Sequence, residues 1–136
     1  MSVLGRRDYC CSMSENPAEH SHPISYGRQV QADLREPAIA LREHIPAVYD
    51  GFKAVSSAAF ADGALDRKTK ELIALAIAVT SDCDGCMASH ARTAAEFGAT
   101  TPEVAETMGV CIQMMGGPGT VSAPRAFAAF QEYVGG

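Results

Sequence analysis

The stretch Leu72-Ile-Ala-Leu-Ala-Ile-Ala-Val79 is the longest uninterrupted apolar run in the chain, at eight residues. It favours a helix that is apolar on nearly every side, and such a helix has to be covered by other elements. Asp66 can cap this helix, which we expect to end near Thr80. In a chain of 136 residues, we expect the cover to include another subunit. The run is far shorter than the roughly 20 residues that a membrane-spanning helix needs.

The patterns around this run are also helical, and no segment shows sustained period-two alternation. Prolines that suit first helical positions and glycines that suit helix ends set the expected boundaries. The further predicted helices open at Pro37 and end by His44, run from Pro46 to Gly63, from Cys83 to Phe97, from Thr101 to a break at Gly116–Gly119, and from Pro124 to Val134. The predicted fold class is therefore all-α.

Residues 1–24 are polar and have no periodic apolar pattern, so we expect a flexible arm ahead of one helical domain over residues 25–136. Cys10 and Cys11 lie in this arm and are expected to be exposed, incidental thiols. No apolar segment follows the arginines at its start, so no secretory signal is predicted.

The chain carries 11 Lys and Arg against 16 Asp and Glu, a net charge of −5. This balance disfavours nucleic acid or an anionic membrane as the main partner. The five cysteines are too few for a disulfide-stapled secreted module. We therefore expect a cytoplasmic protein whose Cys83 and Cys86 pair is redox-active or metal-binding.

The segment Cys83-Asp-Gly-Cys86-Met-Ala-Ser-His90 is the strongest candidate for chemistry. Two thiols three positions apart at a helix start can close a disulfide, and the positive end of the helix favours a thiolate. His90 lies four positions after Cys86 and shares its helix face, so the imidazole can take the thiol proton.

Glu71 joins this group if the chain turns near Ser81–Asp82 into an antiparallel helix pair. Glu71 then lies about ten residues before the turn and His90 about eight after it, nearly level along the pair. We expect the carboxylate to orient His90 or accept its proton.

Zinc binding is an alternative use of the cysteines, but a structural zinc site needs four ligands and only one pair and one nearby histidine are offered. Cys111 would have to reach over. Its apolar neighbours instead predict a thiol buried in the core.

The spacing of Glu71, eleven residues, then Cys83-x-x-Cys86-x-x-x-His90 resembles the signature of the carboxymuconolactone decarboxylase superfamily, in its alkyl hydroperoxidase D-like branch. The resemblance covers about Pro37 to Tyr133. The flanks that share it are Asp66-Arg-Lys-Thr-Lys-Glu71-Leu-Ile-Ala-Leu-Ala76, Phe97-Gly-Ala-Thr-Thr-Pro-Glu103 and Met115-Gly-Gly-Pro-Gly-Thr-Val121.

The resemblance implies an all-α subunit that assembles into homotrimers or homohexamers and reduces hydroperoxides, or a partner's disulfide, with thiols. It implies that Cys86 attacks the peroxide, Cys83 resolves the product, and His90 and Glu71 form the proton relay. No cofactor is required: neither flavin, haem nor metal. The electron donor would be an external dithiol, such as a lipoyl group or a thioredoxin-like protein.

Gly85 departs from the resemblance, because the best-known peroxidase members have a histidine just before the second cysteine. The efficiency of the relay and the preferred oxidant are therefore left open. Two other functions also stay open: a decarboxylase or lactone-handling enzyme on the same fold, and a non-enzymatic redox sensor whose dithiol reports oxidation to a partner.

Overall fold

The computed structural model describes residues 24–135, which form six α-helices and no β-strand. The helices are α1 (Arg28–His44), α2 (Pro46–Ala59), α3 (Arg67–Thr80), α4 (Asp84–Glu96), α5 (Thr101–Met115) and α6 (Gly119–Val134). The all-α prediction is confirmed for this part of the chain. Within it, no helix combines the length and the apolar character needed to cross a membrane. The predicted arm, apart from Ile24, and with it Cys10 and Cys11, lies outside the described residues.

Capping side chains set the starts of α3 and α5 where the sequence predicts them. Asp66 accepts a hydrogen bond of 2.7 Å from the Thr69 N–H. Thr100 and Glu103 form a reciprocal capping box at α5. Hydrogen bonds to Glu103 from the Lys68 ammonium and from Thr100 lower its pKa to about 2. The start of each of these two helices is therefore set by a capping residue next to it in the sequence.

Three predicted boundaries are wrong. Pro37 lies inside α1 rather than at its start. Proline has no N–H to donate to the carbonyl of Asp33, but Asp33 is exposed, so water can bind this carbonyl instead. Pro124 likewise lies inside α6, which begins at Gly119. Helix α2 ends at Ala59, before Gly63, because the chain turns at the following residue.

The core lies between α3, α4, α5 and α6 and is built around Leu75 and Phe130, which are fully buried. Most of its other members are alanines: Ala78, Ala88, Ala91, Ala94, Ala99, Ala123, Ala126 and Ala129. Such small side chains let helix axes approach closely.

Helices α3 and α4 form the central pair. The short connection between them turns tightly, with the Cys83 N–H donating to the Ala78 carbonyl at 3.1 Å. A link this short makes neighbouring helices antiparallel.

Glu132 of α6 anchors the start of α1, which has no side-chain cap of its own. Its carboxylate accepts hydrogen bonds from the Ser25 hydroxyl and from the N–H groups of Tyr26, Gly27 and Arg28, at 2.8 to 3.0 Å. Desolvation works to raise the pKa of Glu132, but these donors outweigh it and the pKa is lowered. The carboxylate thus replaces a missing helix cap from another element.

We expect Glu132→Gln to lower the free energy of unfolding by about 1–3 kcal/mol, because charge-assisted bonds to the helix start are lost. In the wild-type protein the same stabilisation is complete above pH 4.5, the ordinary pKa of a glutamate, and is lost as the pH falls through the lowered value. Amide hydrogen exchange at residues 26–28 measures both effects. Glu43→Gln, on the exposed end of α1, is the control, and equal exchange in the two variants would contradict the anchoring role.

Candidate active site

Cys83 and Cys86 are joined by a disulfide at the start of α4. Cys83 is the N-cap residue, and its Sγ accepts a hydrogen bond of 3.2 Å from the Cys86 N–H. Cys86 is exposed, whereas Cys83 is half-buried. An incoming molecule therefore meets the Cys86 sulfur first.

Arg125 of α6 holds the turn that carries Cys83. Its guanidinium pairs with Asp82 and, at 2.7 Å, with Asp84, the two carboxylates that flank the cysteine. Asp82 has a left-handed backbone, with φ of 52°. The Ser122 hydroxyl, and after it Arg125, lower the pKa of Asp82. The turn is thus fixed by charge from a helix distant in sequence, and the two acidic charges beside the dithiol are paired.

Glu71 and His90 are in contact, as the helix-pair geometry predicts. The Glu71 side chain is only 1% exposed, and its Oε2 lies 2.7 Å from Nδ1 of His90. Its Oε1 accepts hydrogen bonds from Arg67, at 2.7 Å from Nε and 2.6 Å from the terminal nitrogen. An ionised carboxylate can only accept, so Nδ1 of His90 donates and Nε2 is left for other chemistry.

Two aromatic rings enclose this pair. The guanidinium of Arg67 lies 4.6 Å from the ring centroid of Phe60 and 4.9 Å from that of Phe97. Phe60 also stacks on the His90 ring, with centroids 5.8 Å apart. These contacts fix the guanidinium and the imidazole against each other and limit access of water to Glu71.

Arg67, Phe60 and Phe97 were not predicted as site residues from the sequence. Arg67 had a readable signal, since it lies four positions before Glu71 and opposite charges at that spacing pair on a helix. The two phenylalanines follow the ends of α2 and α4, and nothing local brings them together.

Gly85, between the two cysteines, faces Leu34 of α1. A Cβ at this position would lie 2.7 Å from Leu34 Cδ1. A larger side chain here would need α1 or its leucine to move.

Cys111 is buried, as predicted, and desolvation raises the pKa of its thiol. Over residues 24–135, no three histidine, cysteine or acidic side chains are arranged to hold a metal ion.

The described residues form a helical fold in which the Cys83–Cys86 disulfide and His90 lie on one helix, α4, and the buried Glu71 of α3 contacts that imidazole. Residues 46–132 match the profile of the Carboxymuconolactone decarboxylase family. The chain belongs to that family.

Similar proteins cover most of the same region. An uncharacterized protein from Cupriavidus necator is 42% identical over 91 residues, covering 67% of this chain and 80% of that protein. "Uncharacterized protein 4 in cox locus" of Paracoccus denitrificans is 40% identical, covering 63% of this chain and 78% of that protein. The crystal structure of an apo carboxymuconolactone decarboxylase family protein from Legionella pneumophila is similar, with a TM-score of 0.74 and 40% identity, covering 77% of this chain and 94% of that one.

We expect Glu71→Gln to lower the free energy of unfolding by about 1–3 kcal/mol, because Arg67 and His90 lose a buried charged acceptor. The loss is limited because Arg67 and His90 are themselves partly exposed and their charges are screened by solvent. Chemical denaturation measures the change. Glu106→Gln, at an exposed position of α5, is the matched control. A loss of stability no larger than that of the control would contradict the stabilising role of the Glu71 carboxylate.

Proposed function

We propose that the protein is a thiol-dependent peroxidase, of the alkyl hydroperoxidase D-like kind, that reduces organic hydroperoxides through the Cys83 and Cys86 pair. The observation that carries the proposal is the joint arrangement of an exposed disulfide sulfur on Cys86, an imidazole one helical turn later, and the buried Glu71 behind that imidazole.

The base in this proposal is His90. Its Nδ1 donates to Glu71, so Nε2 is the nitrogen free to take the thiol proton of Cys86 on the shared helix face. The start of α4 adds the positive end of the helix, which favours the thiolate. Glu71 acts through His90 and is a positioning residue.

The reaction starts from the reduced dithiol. The Cys86 thiolate attacks the terminal oxygen of the hydroperoxide, the O–O bond breaks, and the alkoxide takes a proton from His90 to leave as the alcohol. Cys86 is then a sulfenic acid. The Cys83 sulfur attacks it, an S–S bond forms, and hydroxide leaves as water after taking the thiol's proton. Two electrons have passed from the dithiol to the peroxide.

An external dithiol closes the cycle. Its thiolate attacks the exposed Cys86 sulfur, and a second attack within the reductant releases the protein dithiol and leaves the reductant oxidised. A lipoyl group or a thioredoxin-like protein fits this role, and a reducing cytoplasm would supply it.

We also propose that the subunits assemble into a homotrimer or homohexamer. Three apolar side chains of α2, at four- and three-residue spacing, are exposed in the described chain: Val48, Phe52 and Val55. Helix α3, predicted to be covered, leaves Ile73 and Ile77 exposed by 45% and 60%. Exposed apolar side chains that share one helix face are typical of a surface that another subunit covers.

We expect Cys86→Ser to abolish turnover of cumene hydroperoxide in the presence of excess dithiothreitol, because no sulfenic acid can form. Cys111→Ala, which alters the buried thiol, is the control and should retain turnover. A coupled assay of peroxide consumption measures both.

The same assay separates the other functions. Consumption of one peroxide per subunit, without further turnover, would favour the redox sensor over the peroxidase. Decarboxylation of a lactone substrate that survives Cys86→Ser would favour the decarboxylase.

We expect Phe52→Glu to reduce the molar mass in solution to that of a smaller assembly, because Phe52 is 72% exposed in the single chain and would be buried only between subunits. Light scattering gives the mass. Ser57→Glu, on the same helix and already polar, should leave it unchanged. If the wild-type protein has the mass of a monomer, the proposal of a homotrimer or homohexamer is wrong.

A further inference from the structure

A groove of about 570 Å³ lies between α1 and α4, beside the disulfide and open to solvent. Its walls are formed by Gln31, Leu34, Arg35 and two alanines of α1 and by Gly85, Ser89 and Arg92 of α4. In a chain of net charge −5, this groove has two arginines and no carboxylate among its lining residues. The charged side chains that line the groove are therefore positive, whereas the net charge of the protein is negative.

The donors in the groove have spare capacity. Arg35 forms no ion pair or hydrogen bond with any described residue, and Arg92 has a single exposed pairing, with Glu96 at 3.6 Å. Gln31 uses its oxygen to accept from Tyr133, which leaves its amide hydrogens available. The Ser89 hydroxyl also has no partner within residues 24–135. Planar guanidinium groups beside such donors suit a carboxylate.

The groove also has an apolar part, because Leu34 lines it and is 49% exposed. Leu34 packs directly against Gly85, since a Cβ at that position would lie 2.7 Å from Leu34 Cδ1, and glycine therefore lets α1 and α4 approach each other here. The exposed side of Leu34 offers a contact surface for a hydrocarbon chain.

The groove is next to the reactive sulfur. Gly85, Ser89 and Arg92 recur at helical spacing on the face of α4 that lines it, and Cys86 and His90 each follow one position later. Their face is rotated by about 100° from the groove. A ligand held in the groove can therefore extend its far end around the helix to Cys86.

We propose that this groove binds the carboxylate of the substrate, and that the substrate is a carboxylate-bearing organic hydroperoxide with an apolar chain. This substrate assignment rests on the peroxidase function proposed above, whereas carboxylate binding in the groove does not. Arg35 and Arg92 hold the carboxylate, Leu34 contacts the chain, and the peroxide group reaches the Cys86 thiolate.

The first experiment compares an eight-carbon ω-hydroperoxy acid with its methyl ester, which has the same chain and peroxide but no charge. We expect kcat/KM to favour the acid by about tenfold in the wild-type protein, in line with two charge-assisted contacts that remain partly solvated. The double variant Arg35→Gln/Arg92→Gln should bring the ratio close to one. Lys53→Gln, which removes a positive charge from exposed α2, should leave the ratio as it is.

The second experiment measures binding without turnover, by titrating octanoate into the Cys83→Ser/Cys86→Ser protein and following the amide resonances of residues 85 and 89. We expect saturable shifts that disappear when Arg35→Gln/Arg92→Gln is added and that octanamide does not produce. Absence of saturable binding overturns the groove assignment, whatever the turnover. Binding without turnover of either peroxide overturns the peroxidase and leaves the carboxylate site standing, and turnover with no preference for the acid overturns the substrate class.

Discussion

The buried carboxylate of Glu71 is the interaction on which the rest of the site depends. A carboxylate that is 1% exposed would be costly without partners, and it has two, Arg67 on one oxygen and His90 on the other. Its partners are themselves held by the ring of Phe60. Two helices, α3 and α4, and the turn after α2 are thus tied to one charged group, and the hydrogen bond from Nδ1 sets the orientation of the His90 imidazole.

The alanine-rich core makes this arrangement possible. Because so many buried side chains are methyl groups, α3, α4 and α6 approach closely enough for α6 to reach the turn that carries Cys83. Arg125 does so through Asp82 and Asp84. A core of larger side chains would hold α6 further from that turn. The close packing of the helices therefore also determines where Cys83 and Cys86 lie.

Several features of the site could be predicted because they are local or nearly so. The pairing of Cys83 with Cys86 and the shared face of Cys86 and His90 follow from helical spacing alone. The contact of Glu71 with His90 needed one further step, a tight turn between two helices. The boundaries at Pro37 and Pro124 were wrong because a proline inside a helix costs one backbone hydrogen bond, and solvent or neighbouring helices can compensate for it.

The sequence by itself determined the all-α class, the central apolar helix, the capped starts of α3 and α5 and the spacing of the thiols, because each depends on residues within a few turns of one another. Only the tertiary structure decided that Phe60 and Phe97 enclose Arg67, that Glu132 caps α1, and that Leu34 lies over Gly85. The contact of Leu34 with Gly85 spans 51 positions, and those of Glu132 with the start of α1 span 104 to 107. Arg67 lies only 7 positions from Phe60 and 30 from Phe97, but the turns after α2 and α4 decide whether these rings reach it. No periodicity encodes such contacts, since they depend on how closely the helices pack and on which faces they turn to one another.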